Sequence, residues 1–182
     1  MLFLMAVIAA VDDYQDLLRL TVTSAGNDHR LGANEAPPAV VSIYLGEELQ
    51  EVIDALEHDV KYKGKTKQIM KLGVDTLPEL PKDTTDRNRT SPFAFTGNKF
   101  EFRMPGSTFS IAGPNIIINT IVADELRQFA DELEKAEDFN AALHDLVVKT
   151  IKEHKRIIFN GNNYSEEWTK EAEKRGLLNL KN

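Results

Sequence analysis

Lys99-Phe100-Glu101-Phe102-Arg103 is the stretch on which the reading of this chain turns. Strand alternation sends Lys99, Glu101 and Arg103 to one face and Phe100 and Phe102 to the other. The phenylalanines can then bury while two cations flank one carboxylate. Gly97-Asn98, just upstream, is a turn signal, so Phe93 to Arg103 reads as a hairpin. Such a strand usually has nothing more than a solvated charged face. Two other stretches argue for chemistry: Asp86-Arg87-Asn88-Arg89, and the stiff turn from Arg30-Leu31-Gly32 through Glu35-Ala36-Pro37-Pro38. Arginines and acids converging on one strand suit phosphoryl transfer, in which cations meet phosphate oxygens and carboxylates hold Mg²⁺.

Outward from the hairpin, the patterns are mostly helical. Residues 2–24 read as one long helix, apolar around most of its first half. Asn27 to Pro38 reads as a loop, and Val40 to Leu45 as a buried strand. A helix opens at Gly46-Glu47-Glu48 and runs to about Glu57, with Leu49, Val52, Ile53 and Leu56 at helical spacing. Lys61, Lys63, Lys65 and Lys67 alternate with polar residues, as in a solvated loop or edge strand. Gly113-Pro114 starts a helix through Leu133, Asp138 caps another, and Ser165 with Glu166 and Glu167 starts the last. The expected class is α+β, with helices packed on a short antiparallel sheet. No repeat or low-complexity segment interrupts it.

The 182 residues suffice for one domain with a real core, and 42% hydrophobic with 28% charged residues is ordinary for a globular protein. A net charge of −7 argues against nucleic acid as a partner. The absence of cysteine excludes disulfide and thiolate chemistry and suits a cytoplasmic setting. Leu2 to Val11 is apolar but has no basic lead-in, runs into Asp12-Asp13 and is too short to span a bilayer, so no membrane role is expected. An apolar helix directly after Met1, and an apolar-rich end at Leu177-Leu178-Asn179-Leu180, read as cut ends. Residues 1–182 are therefore expected to be part of a domain, truncated on both sides.

In chain order, Asn27-Asp28-His29-Arg30-Leu31-Gly32-Ala33-Asn34-Glu35-Ala36-Pro37-Pro38, then Asn88-Arg89-Thr90, then Lys99-x-Glu101-x-Arg103 resemble the C-terminal catalytic region of glutamine synthetases. The wording is closest to the type III bacterial form, and Ile158-Phe159-Asn160-Gly161 and Ser165-Glu166-Glu167-Trp168 continue the likeness. The resemblance implies a ligase that joins glutamate and ammonium using ATP, through γ-glutamyl phosphate, with Mg²⁺ or Mn²⁺, in a homo-oligomeric ring. It gives Arg30 the carboxylate of glutamate, Arg103 the reacting side-chain carboxylate, and Arg89 the transferring phosphoryl group. Glu35 becomes the base on a flap, Glu101 a metal ligand, and Lys99 a nucleotide contact where the family usually has arginine. Two departures stand out: Asn34 replaces the family's tyrosine, and Ala94 replaces a second phosphate-binding arginine. Most of the family's metal ligands belong to segments before Met1, so this stretch alone should be inactive. The four histidines show no metal-ligand spacing, and His144 and His154 are expected on polar helix faces. A ligase for another amine, or a non-catalytic regulatory or oligomerisation module, remain open alternatives.

Overall fold

The computed structural model describes residues 1–33, 36, 38–62, 64, 69–70, 80–81 and 90–179. A run without charge from Leu2 to Val11 makes a helix apolar nearly all round, and such a helix must be enclosed. That helix, α1 (Leu2–Asp13), is buried from Met5 to Asp12 and forms the axis of the core. Packed on it are α5 (Ala112–Leu133) and α6 (Phe139–His154), through residues such as Ile121, Phe129, Leu146 and Ile151.

The single helix expected over residues 2–24 is instead broken. Tyr14 leaves helical geometry (φ −113°, ψ 29°), and α2 (Gln15–Leu20) and α3 (Ala25–Arg30) follow. The break falls where Asp12 and Tyr14 have partners on other elements: Arg156 for Asp12, and Asp124 for the Tyr14 hydroxyl at 3.0 Å. Ser24 caps α3 by accepting from the Asn27 backbone N–H, so the helix continues through residues expected to be loop.

The remaining helices start where their capping residues stand. Gly46, at φ +85°, precedes α4 (Glu47–Glu57), while Asn160 Oδ1 accepts from the backbone N–H groups of both Leu45 and Gly46 at 2.9 Å. Asp138 accepts from the Asn140 and Ala141 N–H groups at the head of α6. Ser165 accepts from that of Trp168 at the head of α7 (Glu166–Lys174). Among the described residues, no helix is long and apolar enough to cross a membrane.

The α+β class holds, but the sheet is mixed. Strands β4 (Phe93–Phe95) and β5 (Phe100–Phe102) form the expected antiparallel hairpin, turning through Gly97 at φ +94°. The other edge is β1 (Ile43–Tyr44), which pairs with β4 in parallel, Ile43 opposite Phe93 and Tyr44 opposite Ala94. A parallel neighbour needs a long crossover, and the chain supplies one between Leu45 and Pro92. Within that crossover, β2 (Ile69–Met70) and β3 (Leu80–Pro81) pair antiparallel. Lys61 is exposed; Lys63, Lys65 and Lys67 lie outside the described residues.

Candidate functional site

Strand β5 and the residues flanking it carry the charged face read from the sequence. Glu101 sits between its two cations: Arg103 donates from Nη2 at 2.8 Å and from Nε at 3.1 Å to Glu101 Oε2, and Lys99 Nζ lies 3.4 Å from Oε1. The Arg103 hydrogen bonds hold the Glu101 carboxyl below its ordinary range, so it is ionised at neutral pH. Lys99 is mostly in solvent, with 65% of its side chain exposed, whereas that of Arg103 is 22% exposed. On the opposite face, Phe93 packs against Phe100 and Phe102 at ring-centroid distances of 5.7 and 5.9 Å. This aromatic contact fixes the hairpin's register and with it the charged row.

Ala94 lies directly opposite Glu101 across the β4–β5 pair and is buried in the central strand. It offers no cation beside the carboxylate.

Arg30 is the last residue of α3 rather than part of a loop. Its Nε donates to Asn27 Oδ1 at 2.9 Å and its Nη2 to the Met104 carbonyl at 2.8 Å. Met104 directly follows Arg103, so the fold brings Arg30 to the end of β5 across 74 residues of chain. The helix is held in place by Arg19, whose Nη2 lies 2.6 Å from Asp28 Oδ1 with both groups largely enclosed. Arg30 is thus tied to the backbone of the residue that follows Arg103, and arginines of this kind suit an anionic, carboxylate- or phosphate-bearing ligand. Glu35 and Arg89 lie outside the described residues.

A second charged cluster escaped the sequence reading. His154, expected on a polar face, is largely enclosed, and its Nδ1 lies 3.0 Å from Asp12 Oδ2 and 3.5 Å from Asp13 Oδ1. Arg156 Nε donates to both oxygens of the buried Asp12, at 3.0 and 2.9 Å. Among the described residues, Asp12, Asp13 and His154 are the group whose donor atoms come close enough to hold a metal ion. The Asp12 oxygens are already matched by Arg156 and His154, and the Arg156 guanidinium offsets the charge of that carboxylate. Burial lowers the His154 pKa, but the Asp12 hydrogen bond and the Asp13 charge outweigh it and the net shift is upward. Burial also raises the carboxyl groups of Asp13 and of Glu125 on α5. No local motif could have shown this: Asp12 and His154 are 142 residues apart.

Residues 142–182, covering most of α6 and all of α7, match the family described as the glutamine synthetase C-terminal domain. The chain is 50% identical, over 98% of its length, to a type-3 glutamine synthetase of Dictyostelium discoideum. It is 45% identical over 98% to a glutamine synthetase of Bacteroides fragilis and 48% identical over its whole length to one of Butyrivibrio fibrisolvens. It spans about a quarter of the length of each of these relatives: 25%, 25% and 26%.

Proposed function

Since the chain belongs to the glutamine synthetase family, we propose that it forms the C-terminal catalytic segment of an ATP-dependent glutamate–ammonia ligase that makes glutamine through γ-glutamyl phosphate. The observation that carries this reading is the hydrogen bond from Arg30 to the Met104 carbonyl, which ties it to the residue next to Arg103 of the Glu101–Arg103 pair.

In this reading Arg30 grips the carboxylate of glutamate through its planar fork. Arg103, braced by Glu101, stands beside the side-chain carboxylate and offsets charge as a carboxylate oxygen attacks the terminal phosphorus of ATP and ADP leaves. Arg89 takes the oxygens of the phosphoryl group in transit, and Lys99 adds a mobile point charge toward the nucleotide. Glu35, between pliant Gly32-Ala33 and rigid Pro37-Pro38, accepts the proton released when nitrogen attacks the activated carbonyl and phosphate leaves. Glu101, ionised and with its side chain partly exposed, is a fitting hard donor for Mg²⁺ or Mn²⁺. A bound divalent ion would screen phosphate charge, and one carboxylate fills only part of such an ion's coordination. A homo-oligomeric ring and a cytoplasmic setting complete the proposal.

The test is Arg30→Ala in the full-length enzyme. Losing charge-assisted hydrogen bonds at ~1.5–3 kcal/mol each should raise the glutamate KM roughly tenfold or more while the ATP KM moves little. Equal effects on both substrates would overturn the assignment.

A further inference from the structure

Resting on the reading of Arg30 as the glutamate-binding group, we propose that Asn27 is its positioning residue, turning the guanidinium so that one defined edge meets the substrate carboxylate. Asn27 is buried one helical turn before Arg30, and every polar atom of its side chain is used. Its Nδ2 donates to the Val22 carbonyl at 2.6 Å and to the Met104 carbonyl at 3.1 Å, while Oδ1 accepts from Arg30 Nε at 2.9 Å. The three contacts fix the amide's orientation, because a flipped group would point oxygen at two carbonyls and N–H groups at a guanidinium.

The same Met104 carbonyl accepts from Arg30 Nη2, so both of its lone pairs are taken. Arg30 is thereby held along its Nε–Nη2 side. The edge formed by Nη1 and the second Nη2 hydrogen is left, among the described residues, for a bidentate carboxylate. Without Asn27 the side chain would regain rotation about its outer bonds and compete for the Met104 carbonyl in other poses. Gly106 completes the setting: a Cβ there would lie 3.1 Å from Asn27 Oδ1 and 3.3 Å from the Phe109 ring.

The experiment is a double-mutant cycle in the full-length enzyme, reading glutamate and ATP KM values separately. Asn27→Ala alone should raise the glutamate KM about tenfold, the lower end for one lost hydrogen bond to a charged group, with the ATP KM within about twofold. Added to Arg30→Ala, it should raise the glutamate KM by less than about twofold more, because a residue acting through Arg30 has nothing further to lose. Independent, multiplying effects would show that Asn27 merely supports α3 and would overturn the proposal. If Asn27→Ala does not fold, Gly106→Ala replaces it, pressing on Oδ1 from outside. The glutamate KM should then rise with Arg30 present and stay level with Arg30→Ala, and a level KM in both backgrounds overturns the proposal. Should Arg30→Ala itself leave the glutamate KM unchanged, the functional reading falls, and this inference with it.

Discussion

Glu101 carries opposing demands. In its proposed role it must stay ionised to hold a cation, yet it is already engaged by Arg103 through Oε2 and approached by Lys99 at Oε1. Oε1 is the oxygen a metal would use, since Arg103 donates twice to Oε2 while only the exposed Lys99 approaches Oε1. Glu101→Gln keeps the shape and removes the charge. In the full-length enzyme it should shift the Mg²⁺ titration to higher concentration by roughly tenfold, as loss of one anionic ligand implies, with glutamate binding less affected. An unchanged metal titration would reduce Glu101 to one member of a solvated strand face. At this scale the sequence was informative where the pattern is local. Period-two alternation placed Lys99, Glu101 and Arg103 together, and the ion pairs bear that out. It was silent where partners are remote: nothing near Arg30 points to the Met104 carbonyl, and nothing near Asp12 points to His154.

The hairpin and the α1–α5–α6 junction each expose their elements to test. Gly97 turns β4 into β5 at φ +94°, with open space where a Cβ would go, so Gly97→Ala adds backbone strain without a clash. That strain should cost about 1–2 kcal/mol, read as a lower denaturation midpoint. Because the turn sets the register that places Ala94 opposite Glu101, a substitution that leaves stability unchanged would mean the turn does not govern the pairing. At the helical junction, the pKa values of His154, Asp13 and Glu125 are all raised by folding. A group raised in the folded state contributes stability that is complete below its unfolded pKa and is lost as pH rises through the folded one. The carboxyl groups therefore act from about pH 4 upward and His154 from about pH 6.5 upward. Thermal stability should fall as pH rises from weakly acidic to above neutrality, and His154→Gln should flatten the upper part of that fall. A profile identical in the variant would remove His154 as the cause. Helix starts were legible because Asp138 and Ser165 are strong caps beside apolar periodicity. The break at Tyr14 was not, since no proline or glycine marks it and its hydroxyl partner is on α5. Nor was the parallel entry of β1, because periodicity says that a strand exists but not which way its neighbour runs.

For the whole molecule, the site on β5 is open-ended, and that sets its expected behaviour in isolation. Glu101 is the one candidate metal ligand on the charged strand, and Arg103 already engages one of its oxygens. Mg²⁺ takes about six oxygens in near-octahedral array, with ATP usually one or two carboxylates plus phosphate and water oxygens, so a single carboxylate half engaged by Arg103 holds it weakly. The cluster that does have metal-like spacing, Asp12 with Asp13 and His154, is built on α1 and α6 and is already matched by Arg156. It cannot substitute for ligands at the strand. The relatives are about four times as long as this chain, so three quarters of their sequence is available to supply what β5 lacks. The purified 182-residue chain, given ATP, Mg²⁺, glutamate and ammonium, should therefore form no glutamine above the uncatalysed background. Its fold should nonetheless be present, because α1 is buried from Met5 to Asp12 against α5 and α6 of the same chain, and circular dichroism should report the helices. Folded but inactive chain supports the division of labour proposed here. Measurable, Mg²⁺-dependent turnover would show that β5 and its neighbours assemble a complete site by themselves, and the reading of Glu101 as one ligand among several would have to be abandoned.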